Sequence, residues 1–80
     1  MKTVRYAQDA LNDLRRHRSR AALIMEKIAR YADTGAGDVK GLAGKVGTRR
    51  LRVGDFRVLF EETADSILVT RVVPRGDVYD

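Results

Sequence analysis

The sequence predicts an α+β fold, in which an N-terminal helical hairpin packs on one face of a small, mostly antiparallel sheet. Apolar residues recur at helical spacing in the first half of the chain, whereas they alternate with polar residues along three stretches of the second half. The 80 residues suffice for one domain, residues 1–80, and the element order is β-α-α-β-β-β.

The first half of the chain is predicted to contain one strand and two helices. The strand is Lys2–Tyr6, the first helix covers residues 7–16, and the second runs from about Ser19, as N-cap, to Asp33. Each helix has an apolar stripe, formed by Ala7, Ala10, Leu11 and Leu14 in the first and by Leu23, Ile24, Ile28, Tyr31 and Ala32 in the second.

A glycine-rich segment separates the helices from the strands. Thr34–Asp38 ends the second helix, and VKGLAGKVG follows at residues 39–47. This stretch does not match the phosphate-binding pattern GxxxxGK[ST], because Lys45 is followed by Val46. We interpret it as a flexible basic connector.

The second half of the chain is predicted to form three strands, at about residues 48–53, 56–62 and 66–73. Pro74, which has no amide donor, ends regular pairing. The first two strands form a hairpin, RRLRVGDFRVLF, with Gly54-Asp55 as its two-residue turn.

Direct pairing across this turn fixes which side chains share a face. It sets Val53 opposite Phe56, Arg52 opposite Arg57, Leu51 opposite Val58 and Arg50 opposite Leu59. The apolar members then share a buried face with Phe60, and the arginines share the other face. Because like charges directly opposite each other are destabilising, these arginines need a functional explanation.

The composition limits which partners, cofactors and cellular locations are expected for this protein. The net charge of +5 and the pI of about 10.1 indicate a polyanionic partner, either nucleic acid or an acidic protein. There is no cysteine, and the single histidine, His17, lies among charged residues, so we predict no metal and no other cofactor. The chain has no apolar run of membrane-spanning length and no signal-peptide pattern, and we expect a cytoplasmic protein.

Arg50, Arg52 and Arg57 are therefore predicted to bind a phosphodiester, because guanidinium groups match phosphate oxygens and stay charged. The alternative is that they pair with Glu61 or with a C-terminal carboxylate. Beyond the last strand, Arg75 adds a further cation. Tyr79 has a ring that could stack on an unpaired base and a hydroxyl that could transfer a proton.

These motifs resemble the RelE/ParE superfamily of bacterial type II toxins, and within it the RelE-like mRNA interferase branch. The resemblance covers the whole chain and is most specific in LRVGDFRVLF and the terminal RGDVY. It implies a RelE-like fold and a toxin that enters the ribosomal A site, cleaves mRNA as an endoribonuclease and inhibits translation. A cognate antitoxin encoded beside it would neutralise it in a toxin-antitoxin hetero-oligomer.

The resemblance also implies roles for individual residues. Arg57 matches the phosphate-stabilising arginine, Arg50 and Arg52 are basic positions on the preceding strand, and Arg75 and Tyr79 match the C-terminal arginine and tyrosine. The chain departs from the family at Thr48 and Gly76, where members often carry basic residues.

Basic residues elsewhere would contact ribosomal RNA phosphates, or would only form a solvated surface. They are Arg15, Arg16, Arg18, Arg20, Lys40, Lys45 and Arg49. Two other functions stay open: a ParE-like inhibitor of DNA gyrase, and a catalytically inactive binding module of the same fold.

Overall fold

The computed structural model describes residues 1–41 and 47–74, which form two helices and five strands. In chain order these are β1 (Thr3–Tyr6), α1 (Gln8–Arg16), α2 (Arg18–Thr34), β2 (Asp38–Gly41), β3 (Thr48–Val53), β4 (Phe56–Glu62) and β5 (Ser66–Pro74). The predicted α+β class, the helical hairpin and the three long strands are confirmed.

The sheet has the strand order β1-β5-β4-β3-β2. The last strand, β5, lies between β4, with which it is antiparallel, and β1, with which it is parallel. All other pairs are antiparallel. The sheet is thus mostly antiparallel, as predicted, with one parallel pair that joins the two ends of the fold.

The segment predicted as a connector contains an additional strand. Asp38–Gly41 pairs antiparallel with β3, from Asp38 opposite Arg52 to Gly41 opposite Arg49. Its one apolar side chain, Val39, is half-buried against the core. A single apolar residue among glycines and charges gives too weak an alternation to indicate a strand. The rest of the connector, residues 42–46, lies outside the described residues.

The start of the second helix also differs from the prediction. Helix α2 begins at Arg18 and its N-cap position is His17, so Ser19 lies inside the helix and is not its cap. The two helices are separated by His17 alone. Its amide bonds the carbonyl oxygens of Asp13 and Leu14, and its carbonyl accepts the amide of Arg20.

The core lies between the helices and one face of the sheet. The helices supply Ala10, Leu14, Ile24, Ile28 and Ala32, and the sheet supplies Leu51, Val53, Val58, Phe60, Ile67, Val69 and Val72. Of the predicted apolar stripes, Leu11 and Leu23 are instead among the exposed large apolar side chains. Packing against the sheet therefore covers only the central row of each stripe.

Glu62 joins four elements of the fold at the end of β4. Its carboxylate accepts hydrogen bonds from Lys2 Nζ at 2.6 Å and Tyr31 Oη at 2.8 Å, and it forms an ion pair with Arg49 Nε at 3.1 Å. Burial favours the neutral acid, but the hydrogen bonds from Lys2 and Tyr31 and the charges of Lys2 and Arg49 outweigh it and lower the pKa of Glu62. The carboxylate is therefore ionised and holds Lys2, the residue two positions before Val4 of β1, together with α2 and β3, to β4.

Among residues 1–41 and 47–74, no helix has the length and apolar character needed to cross a membrane.

We expect Glu62→Gln to lower the free energy of unfolding at neutral pH by about 2 kcal/mol, because it removes a charge that two hydrogen bonds and two cations stabilise. The lowered pKa of Glu62 means that its contribution is complete above the ordinary value of 4.5 and is lost as the pH falls through the folded-state value. Urea unfolding at a series of pH values measures both effects. Glu61→Gln is the matched control, since Glu61 is the exposed neighbour on β4. Equal losses in the two variants would contradict this role of Glu62.

Candidate nucleic-acid interface

The β3–β4 hairpin has the register that its sequence predicts. Val53 pairs with Phe56, Arg52 with Arg57, Leu51 with Val58 and Arg50 with Leu59. Gly54 has a φ of +56°, the left-handed conformation that glycine adopts readily in a two-residue turn. With Leu51 and Val58 in the core, the three arginines lie on the opposite side of the sheet. We call this side the arginine face.

Two cross-strand rows form the centre of the arginine face. Residues directly opposite each other in a sheet point to the same side, so the strand pairing identifies the members of each row. The first row is Asp38, Arg52, Arg57 and Val73, and the second is Lys40, Arg50, Leu59 and Arg71.

A depression of about 210 Å³ lies between these rows. It is lined by four cations and one carboxylate, namely Lys40, Arg50, Arg52, Arg57 and Asp38. Since each guanidinium offers several N–H donors in one plane, this depression has the chemistry to hold a phosphate group.

Arg57 occupies the middle of the arginine face. It lies on β4, the central strand, and only 9% of the residue is exposed, whereas Arg52 beside it is exposed. Burial lowers the local dielectric, which strengthens the attraction between a guanidinium and an anion placed against it. Electrostatic attraction for an anion should therefore be strongest at Arg57, where water screens the charge least.

The basic residues of the helical corner lie near one end of the arginine face. The ring of His17 packs edge-on against Phe56, with 4.9 Å between ring centroids, and Arg20 lines a small depression with Gly54 and Asp55. Arg20 thus lies next to the β3–β4 turn, and Arg16 shares a depression with Arg71 of β5. Arg15 and Arg18 belong to the same corner, at the end of α1 and the start of α2.

The other predicted site residues are distributed differently. Lys40 joins the depression, whereas Arg49, directly opposite Phe60, lies on the helix side of the sheet and pairs with Glu62. Lys45, Arg75 and Tyr79 lie outside the described residues. Within residues 1–41 and 47–74, Glu61 is exposed and has no ion pair, so this carboxylate is not the counter-ion of the arginines.

The family of the chain follows from its comparison with known proteins. A family model described as the ParE toxin of the type II toxin-antitoxin system parDE matches residues 4–79. The chain belongs to this toxin family. Its resemblance to the RelE/ParE superfamily is thereby confirmed. The search of curated proteins gave no match.

Solved structures of similar fold include toxin-antitoxin complexes. A chain of the RelB-RelE antitoxin-toxin complex from Methanococcus jannaschii is 28% identical, with a TM-score of 0.70 and 95% of each chain covered. A chain of the complex RelBE2 from Mycobacterium tuberculosis is 26% identical, with a TM-score of 0.71, and 92% of this toxin and 98% of that chain are covered. A chain of the archaeal RelE-RelB complex from Pyrococcus horikoshii has a TM-score of 0.77 at 20% identity, with 96% of this chain and 98% of that chain covered. At this identity, the match shows only that the two folds are alike.

Two polar residues lie near the arginines of this toxin at positions that its sequence does not predict. Asp38 lines the depression directly opposite Arg52, and Arg71 pairs opposite Leu59 in the second row. The position of Asp38 depends on β2, which the sequence pattern does not reveal. That of Arg71 depends on a β-bulge at Leu59/Phe60, which shifts the β4–β5 register by one residue.

Asp38 weakens the attraction of the depression for anions. We expect Asp38→Asn to tighten the binding of a 2′-O-methyl dinucleotide by about two- to threefold, corresponding to about 0.5 kcal/mol for an exposed charge. Fluorescence anisotropy at low salt measures this, and the gain should shrink as salt screens the charge. Asp33→Asn removes the same charge from an exposed position on α2. A similar gain in both variants would mean that only net charge matters.

Proposed function

We propose that this toxin is a ribosome-dependent endoribonuclease that cleaves mRNA and thereby inhibits translation. One observation carries the proposal: Lys40, Arg50, Arg52 and Arg57 converge on a single depression of the sheet surface. Four cations around one depression suit a phosphodiester, and single-stranded mRNA in the ribosome presents its backbone with a 2′-hydroxyl beside each phosphate.

The proposed reaction uses that 2′-hydroxyl as the nucleophile. Its oxygen forms a bond to the adjacent phosphorus while the bond from phosphorus to the 5′-oxygen breaks, leaving a 2′,3′-cyclic phosphate and a free 5′-hydroxyl. Negative charge grows on the phosphoryl oxygens during this step. Arg57, with Arg50 and Arg52 on the neighbouring strand, would stabilise it.

Two proton transfers complete the reaction. A base takes the proton of the 2′-hydroxyl and an acid protonates the departing 5′-oxygen, and arginine is a poor choice for either because it stays charged. Resemblance to the family points to Tyr79 for this task. Glu61 is a second candidate, because it lies on the arginine face two residues beyond Leu59.

The proposed protein partner is a cognate antitoxin. The solved relatives from Methanococcus jannaschii and Mycobacterium tuberculosis are complexes of a toxin with its antitoxin. An acidic antitoxin would complement the net charge of +5 and mask the arginine face in a hetero-oligomer. Arg15, Arg18 and Arg20 of the basic helical corner, with Lys45 and Arg49, would contact the phosphates of ribosomal RNA in the A site.

Inhibition of DNA gyrase is the second candidate function. The specific observation in its favour is the family model, whose description names the ParE toxin. Such an inhibitor has no need of a phosphate site on the sheet. The convergence of the arginines therefore favours the nuclease.

Primer extension on an mRNA in a reconstituted translation reaction tests the nuclease. We expect wild-type protein to cut at codon-spaced positions only when ribosomes are present. Arg57→Gln should reduce cleavage about 100-fold or more, because it removes a charged donor from the site where negative charge develops. Arg30→Gln is the matched control, since it removes one exposed charge from α2. Thermal unfolding of each variant verifies that it folds.

Two results would contradict the proposal. One is full cleavage or full toxicity of a folded Arg57→Gln variant. The other is an uncut mRNA with wild-type protein, after which gyrase supercoiling and the DNA-damage response on expression would decide for or against the second function.

A further inference from the structure

A buried carboxylate on α1 holds the end of β5. Asp13 is only 3% exposed, and its two oxygens accept hydrogen bonds from Arg71 Nε at 2.7 Å, Arg71 Nη2 at 3.2 Å and the amide of Val72 at 2.9 Å. Strand β1 ends at Tyr6, opposite Val69, so it does not reach this part of β5. Asp13 takes the place of a neighbouring strand there.

The same carboxylate attracts a second guanidinium. Nη1 of Arg16 lies 3.8 Å from the carboxylate of Asp13. Burial favours the neutral acid, but the hydrogen bonds from Arg71 and Val72 and the charges of Arg71 and Arg16 outweigh it and lower the pKa of Asp13. One ionised carboxylate thus holds two cations, which leaves an excess of one positive charge.

Both guanidinium groups remain accessible to solvent. The side chain of Arg71 is 45% exposed and that of Arg16 is 68% exposed. The contacts of Arg71 with Asp13 use Nε and Nη2, so that Nη1 points away from them. Together with Asp13, these groups line a depression of about 260 Å³ with His17, Val72, Val73 and Pro74.

This second depression adjoins the first across β4 and β5. Val73, which lines it, pairs directly opposite Arg57. Arg71 is two strands away from Arg50 in the second row, a separation of about 10 Å between backbones. An extended polynucleotide bound at the first depression therefore has a cationic path toward the helical corner.

We propose that Arg71 and Arg16, held in position by Asp13, form a second phosphate-binding subsite that binds the backbone of single-stranded RNA next to the scissile phosphodiester. The proposal rests on the proposed nuclease function and deepens it. Arg71 and Arg16 bind phosphate directly, whereas Asp13 is a positioning residue. A clamp between α1 and β5 needs only one arginine at the carboxylate. Here two arginines share the acceptor and face solvent.

Uncleavable 2′-O-methyl oligonucleotides test the second subsite without ribosomes. A dinucleotide carries one phosphodiester and occupies the first depression, whereas a hexanucleotide reaches both. We expect wild-type protein to bind the hexanucleotide more tightly and with a steeper salt dependence. For the hexanucleotide, Arg71→Gln and Arg16→Gln should each make the fall of log K with log salt less steep, by about 0.7 in slope. For the dinucleotide, neither substitution should change the affinity or the slope. Arg52→Gln should weaken both, and Arg30→Gln neither.

The outcomes separate this subsite from the nuclease itself. Arg16 is exposed and its contact with Asp13 is long, so Arg16→Gln should fold normally and decides the result if Arg71→Gln does not fold. A hexanucleotide that binds no better than the dinucleotide, or a slope unchanged in folded Arg16→Gln, overturns the second subsite. Failure of wild-type protein to bind either probe also overturns it. Primer extension on ribosomes decides the nuclease independently.

Discussion

The strand register of the β3–β4 hairpin is the constraint on which the rest of the structure depends. Gly54 sets the turn, and the pairing of Leu51 with Val58 then places both side chains in the core. Because side chains alternate along a strand, the same register places Arg52 opposite Arg57 on the other side. A slip by one residue would bury the arginines and expose the core. Hydrophobic burial therefore supplies the free energy that holds like charges together.

Two ionised carboxylates bind neighbouring elements together near the two ends of the sheet. Glu62 gathers Lys2, Tyr31 and Arg49 at one end, and Asp13 binds Arg71 near the other. Each carboxylate bonds residues from separate elements of the fold. The arginine face is thus formed on a sheet whose ends are fixed, which keeps its cations in place at little conformational cost.

The parts of the fold that follow from local patterns could be predicted from the sequence, and the parts that depend on distant pairing could not. The hairpin register follows from a two-residue turn and strict alternation, and the helices from their apolar spacing. Strand β2 has one apolar side chain and is recognisable only by its pairing with β3. Arg71 lies 58 residues from Asp13 and Lys2 lies 60 residues from Glu62 along the chain, beyond the reach of any local pattern. The three arginines of the site were predictable because they lie on the hairpin, whereas Asp38 and Arg71 were not.

The parallel pairing of β1 with β5 has a consequence for the folding of the toxin during synthesis. Thr3 pairs with Ser66 and Tyr6 with Val69, so the first strand stays unpaired until the last one has been synthesised. Strand β4, which carries Arg57, also lacks one of its two neighbours until then. Contacts of such long sequence separation form late in folding. The sheet, and with it the arginine face, is therefore completed only after β5 has been synthesised and has paired with β4 and β1.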